Sequence, residues 1–105
     1  MNHELYNQLL KQFQNIVTVT SYNRSFEWVN NHLIRLCEEF DFLGVGLPVK
    51  HTISDVTRVS KIQRFIVGEN GVLVNTGFGN VWYYETKKPS VAETKKFDGH
   101  CLVIK

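Results

Sequence analysis

Cysteine and proline each occur only twice in the 105 residues, and no apolar stretch approaches the ~18 residues of a membrane-spanning helix. Two cysteines cannot staple a disulfide-dense scaffold, and neither sits in a Cys-x-x-Cys knuckle. Cys37, Cys101 and the histidines at 3, 32, 51 and 100 never fall three or four residues apart on one helix, so no metal site is expected. Two prolines leave no polyproline linker. Gly77-Phe78-Gly79 and Gly44-Val45-Gly46 lack the third glycine and the following helix that a phosphate loop requires, so both read as turns and no cofactor is expected. Met1-Asn2-His3-Glu4 lacks the basic-then-apolar order of a secretory signal. The expectation is a cytoplasmic protein with two reduced thiols, each behaving as a small hydrophobe and inert as a nucleophile.

What is present suits one folded domain over residues 1–105. Apolar residues make up 43 % and charged residues 21 %, enough to fill a core without staples. The net charge is only +2, but it is unevenly spread. Residues 1–52 carry four basic against five acidic side chains, a net of −1, and residues 53–105 carry eight against five, a net of +3. A basic half can steer an anionic partner, although an ordinary solvated surface is the plainer account.

Periodicity divides the chain into helices and then strands. Leu5, Leu9, Phe13 and Ile16 repeat at helical spacing, flanked by Leu10 and Val17, with Asn2 as cap and Glu4 at the positive end of the dipole. A helix is predicted over 4–15, with Val17 to Thr20 extended because of their β-branching and a turn over Ser21 to Arg24. Ser25 caps a second helix, 26–42, whose stripe is Phe26, Val29, Leu33, Leu36 and Phe40 with Cys37 beside it. Gly44 is expected in the left-handed conformation that ends helices. Beyond Pro48 the texture turns β-branched. Ile53, Val56, Val59, Ile62 and Phe65 recur every three residues, neither the helical nor the strand period. Composition favours a strand over 56–67 with a bulge near Ser60-Lys61. Gly68-Glu69-Asn70-Gly71 reads as a hairpin turn into Val72 to Val74. After a further turn come an aromatic strand, Val81 to Glu85, and a buried last strand, Cys101 to Ile104. Leu73 and Leu102 join the helical stripes in the predicted core. The expected fold is α+β: two N-terminal amphipathic helices followed by a mostly antiparallel sheet of about four to five strands.

The segment from Thr86 to Gly99 is too long for a hairpin loop. Ser90 and Glu93 have capping-box spacing, which predicts a short helix over 91–96, bracketed by the pairs Lys87-Lys88 and Lys95-Lys96. A charged excursion beside an aromatic run is a natural place for function. Trp82 and Tyr84, with Lys87, Lys88, Lys95 and Lys96, are therefore the candidate binding residues, the rings as anchors and the lysines at the rim.

With no catalytic set above chance, the leading expectation is a small non-enzymatic binding protein. It would be a regulator, inhibitor or immunity-type protein that occludes a protein partner. An abundance of Asn, Lys, Ile and Phe hints at an AT-rich genome, such as a phage or mobile element. A nucleic-acid-binding module built on the basic, aromatic half is the first alternative. The second rests on Glu69, Glu85, His100, Arg58 and Arg64, the one acid–base set available. In its order of helices, then a sheet with a late His, the chain resembles small ribonucleases of the barnase kind. That resemblance implies a Glu as base, a His as acid and cations on the phosphate.

Overall fold

Asn2 begins the first helix as its side chain predicts. In the computed structural model, which describes residues 2–19, 26–68 and 71–104, its Oδ1 accepts the Leu5 backbone N–H at 3.0 Å. Its Nδ2 donates to the Asp41 carbonyl at 2.8 Å, fastening this end to the close of the second helix. Helix α1 (His3–Val19) buries Leu5, Leu9 and Phe13. It runs past the predicted end, so Val17 to Val19 are helical rather than extended. Each residue added to an existing helix gains a hydrogen bond, which outweighs a β-branching cost of a few tenths of a kcal/mol.

Helix α2 (Phe26–Glu39) buries Val29, Leu33, Leu36 and Cys37, and the Tyr6 hydroxyl donates to the Asn30 carboxamide between the helices. It stops three residues earlier than the periodicity suggests. Phe40 N–H still reaches the Leu36 carbonyl, but Leu43 N–H turns back to Phe40. Phe40 is half-buried against the core rather than inside it. Gly44 is not the left-handed residue; Gly46 is, at φ 86°. Gly44 instead admits a close approach, since a Cβ there would stand 2.9 Å from Leu47 Cδ1. The turn at 21–24, the Ser25 cap, the loop residues Glu69 and Asn70, and the side chains of Ile16, Val17 and Phe26 lie outside the described set.

The sheet comprises β1 (Pro48–Ile53), β2 (Val56–Gly68), β3 (Gly71–Thr76), β4 (Gly79–Trp82) and β5 (Cys101–Ile104), all paired antiparallel. β2 is its spine. The first half of β2 pairs with β1 on one edge and β5 on the other, and its second half pairs with β3, which pairs with β4. The bulge falls between Ile62 and Arg64, about two residues beyond the predicted place. It accounts for the Ile62-to-Phe65 step of the period of three; the steps before it cross from one face of the strand to the other. Ser60 and Ile62 face the core before it, and Phe65 and Val67 face the core after it, because one extra residue exchanges the two faces. Val59 is fully buried on the opposite face, beside Leu102.

The sheet curls into a half-barrel around the helical stripes. Lys50 of β1 and Lys87 exchange two backbone hydrogen bonds of 2.9 Å, and a Cβ on Gly79 would lie 3.3 Å from Ile53 Cδ1. Leu73 and Leu102 are half-buried, so neither belongs to the central core. β5 is not a buried strand: Val103 is 48 % exposed. The aromatic strand is shorter than predicted, giving way after Trp82 to a 3-10 helix over Tyr83–Glu85. Thr86 causes the turn, its hydroxyl donating to the Tyr83 carbonyl at 2.6 Å while its N–H reaches the same oxygen.

Candidate functional site

The exchange of faces at the bulge sets the outer surface of β2, β3 and β4. Ile66, Leu73 and Trp82 lie opposite one another across the three strands and form one half-buried apolar row. Arg64, Asn75 and Asn80 form the parallel polar row, closed by an Asn75–Asn80 amide hydrogen bond of 2.6 Å. The 3-10 turn then sends alternate aromatics in opposite directions. Tyr83 goes inward, edge-on to Phe40 at 5.1 Å and to His32 at 5.7 Å. Tyr84 goes outward and lies nearly parallel to Trp82, with centroids 6.1 Å apart and planes 4° apart. It is 59 % exposed. Trp82 and Tyr84 thus share a surface, but the 3-10 turn brings them together rather than the strand alternation expected of 81–85.

The excursion is anchored at both ends. Lys87 extends the edge of β1, Pro89 is buried, and Ser90 and Glu93 complete the predicted capping box of α3 (Val91–Lys96). Ser90 N–H donates to Glu93 Oε1 at 2.9 Å, and Glu93 N–H donates to Ser90 Oγ at 3.1 Å. Lys50 Nζ meets Glu93 Oε2 at 3.0 Å. The Ser90 backbone bond, then Lys50, hold the Glu93 carboxyl below its usual range. Lys87, Lys88, Lys95 and Lys96 are all exposed, and the last two suit the negative end of the α3 dipole.

The acid–base candidates are dispersed. Glu69 lies outside the described residues. Glu85 lines a recess of about 330 Å³ with Lys50, His51, Thr52, Thr57, Lys87 and Ile104. His100 is exposed just before β5, its N–H held by the Asp98 carboxylate. Arg58 stacks 4.7 Å above the Phe78 ring, and Arg64 sits on the outer face beyond the bulge. Among the described residues no hydrogen bond or ion pair joins any two of Glu85, His100, Arg58 and Arg64.

Sequence reasoning passed over a buried pair. His51 Nε2 lies 2.6 Å from Ser60 Oγ, and both residues are 2 % exposed. Burial, then Arg58, push the His51 imidazole below its ordinary value. Among the described residues its Nδ1 has no hydrogen-bond partner, so no third group orients the ring. The pair has the contact of a nucleophile and its base, and it is buried behind the recess that His51 helps to line. Only strand register brings these two side chains together. Burial also raises the Cys37 thiol to about 11, which keeps it protonated and unreactive, while Cys101 is free and half-buried. Among the described residues no group of three or more His, Cys, Asp or Glu side chains could hold a metal ion, and no helix is long and apolar enough to cross a membrane. No family model matches the chain, and no curated protein or solved structure matches it either.

Proposed function

We propose that this chain is a small non-enzymatic binding protein, a regulator or inhibitor of the immunity type, that occludes a protein partner in the cytoplasm. Its contact surface is the outer face of β2, β3 and β4, centred on Trp82 and Tyr84, with the lysines of the excursion at the rim. The observation that carries this reading is the stacked, outward pair itself: Tyr84 is 59 % exposed yet lies within 4° of the Trp82 plane. Aromatic side chains fixed before association lose little conformational entropy on binding, and interface energy concentrates on such anchors. Ile66 and Leu73 extend the anchor as an apolar row.

Single-stranded nucleic acid is the second reading, favoured by Lys61 and Arg64 being exposed on the same outer face as the rings. The net charge of +2 is small for a phosphate-tracking surface, and Glu93 already neutralises Lys50. The test is capture from a native lysate of the source cells, with and without nuclease, comparing the wild-type chain with Tyr84→Ala. A specific protein retained after nuclease, and lost with Tyr84→Ala, supports occlusion of a protein. A catch that disappears with nuclease moves the assignment to nucleic acid.

A further inference from the structure

Strand register fixes where the backbone of β5 points. Lys50 exchanges both its backbone hydrogen bonds with Lys87, away from β2. The bonded pairs of β1 and β2 are therefore Val49–Ser60 and His51–Arg58, and Arg58 and Ser60 face β1. Ile62, two residues on, confirms the phase by bonding to Gly46 and Leu47. Thr57 and Val59 then face β5, where their partners are Ile104 and Leu102. Cys101 and Val103 are left facing away from the sheet. Asp98 lies beside this end of β5: its carboxylate accepts the His100 N–H at 2.9 Å, and the backbone N–H groups of His100 and then Cys101 help hold it below its usual range. The far edge of β5 thus presents the Cys101 carbonyl and both the N–H and the carbonyl of Val103. No strand pairing among the described residues uses them.

Exposed edges in natural sheets are guarded by shortness, a charge, a proline or a bulge, and β5, at four residues, has only the first. Cys101-Leu102-Val103-Ile104 carries no charge, proline or bulge along that edge, and Val103 is 48 % exposed. We propose that this edge is a homodimer interface, occupied by β5 of a second copy of the chain. Antiparallel pairing about a two-fold axis makes one strand its own complement. Centred on Val103, it lets Val103 of each copy donate to and accept from the same residue of the other. The strand is uncharged, so the two copies bring no like charges together within it. The two half-barrels would then share one continuous sheet. Pairing uses up the edge on each copy, so assembly stops at two.

Proline gives a selective test. At Val103 it removes an N–H that points away from β2, so the internal ladder is kept, whereas at Leu102 it would break that ladder. Sedimentation equilibrium of the purified chain is expected to show a shift from one to two chains with rising concentration and no further growth. Val103→Pro is expected to stay monomeric with an unchanged circular dichroism spectrum and Tm. Val103→Lys, an edge guard that asks nothing of the backbone, is expected to do the same and carries the test if the proline variant fails to fold. Hydrogen exchange at the Val103 amide is expected to slow in the dimer. A wild-type chain that stays monomeric throughout its soluble range overturns the proposal. So does a mass that climbs beyond two, or a folded Val103→Lys variant that still dimerises. Tyr84→Ala is expected to dimerise like the wild type, which separates this edge from the aromatic surface.

Discussion

Leu33 is fully buried in the core cluster that α2 shares with α1 and the sheet strands. Truncating it to Ala loses the transfer energy of the side chain and leaves a cavity, at a cost of about 2–5 kcal/mol. Chemical denaturation should show this as a lower midpoint at unchanged slope. His51 produces a dependence on pH. Its folded-state value is lowered by burial and then by Arg58, and that of His32 by burial and then by Arg35. The unfolded chain therefore takes up these protons more readily than the folded one. The stability from keeping the rings neutral is present above the ordinary histidine value of 6.5 and is lost as pH falls below it. Tm should drop between about pH 7.5 and pH 5, and the drop should be smaller in His51→Gln. Equal drops in the two proteins would remove His51 from the account. The helical stripes that hold Leu33 were legible because a helix declares its buried face within a few residues. The burial of His51 was not, because it depends on β1 pairing with β2 in one particular register.

At the scale of elements, local signals were the readable ones. The capping box at Ser90 and Glu93 is a contact within four residues, and α3 has the predicted bounds. Ser90→Ala removes the acceptor for Glu93 N–H and should cost about 0.5–2 kcal/mol of local helix stability. Faster amide exchange in Val91 to Thr94, with little change in global Tm, is the expected result. Replacing Lys87, Lys88, Lys95 and Lys96 with Ser should also leave Tm nearly unchanged, because all four are exposed. If these lysines form the rim of a protein interface, the variant should associate more slowly and with weaker salt dependence. Element ends were less legible. The β-branched residues 17–19 argue for a strand on propensity alone, yet they extend a helix that already exists. The aromatic run reads as strand to Glu85 because nothing local shows the Thr86 hydroxyl turning back to Tyr83. The bulge shows in sequence only as the Ile62–Phe65 spacing; its place between Ile62 and Arg64 depends on pairing with Thr76 and Asn75 of the facing strand.

The whole molecule depends on contacts far apart in sequence. β5 joins β2 across more than forty residues, Lys87 closes on Lys50, and the outer surface exists because the bulge exchanges the two faces of β2. An α+β order of helices then strands could be read from periodicity, but this closure could not. The candidate surface was legible in composition, as rings beside lysines, while its geometry was not. Trp82 and Tyr84 meet through a 3-10 turn, and Ile66 and Leu73 join them only by register. The stack is proposed as the energetic centre of a protein-binding surface. Its most direct test is the affinity of Tyr84→Ala for the captured partner, with Tm measured alongside. A Kd at least ~30-fold weaker is expected, the loss of an interface anchor of about 2 kcal/mol, carried mainly by faster dissociation and accompanied by an unchanged Tm. A Kd within about twofold of the wild type, below about 0.4 kcal/mol, would contradict it.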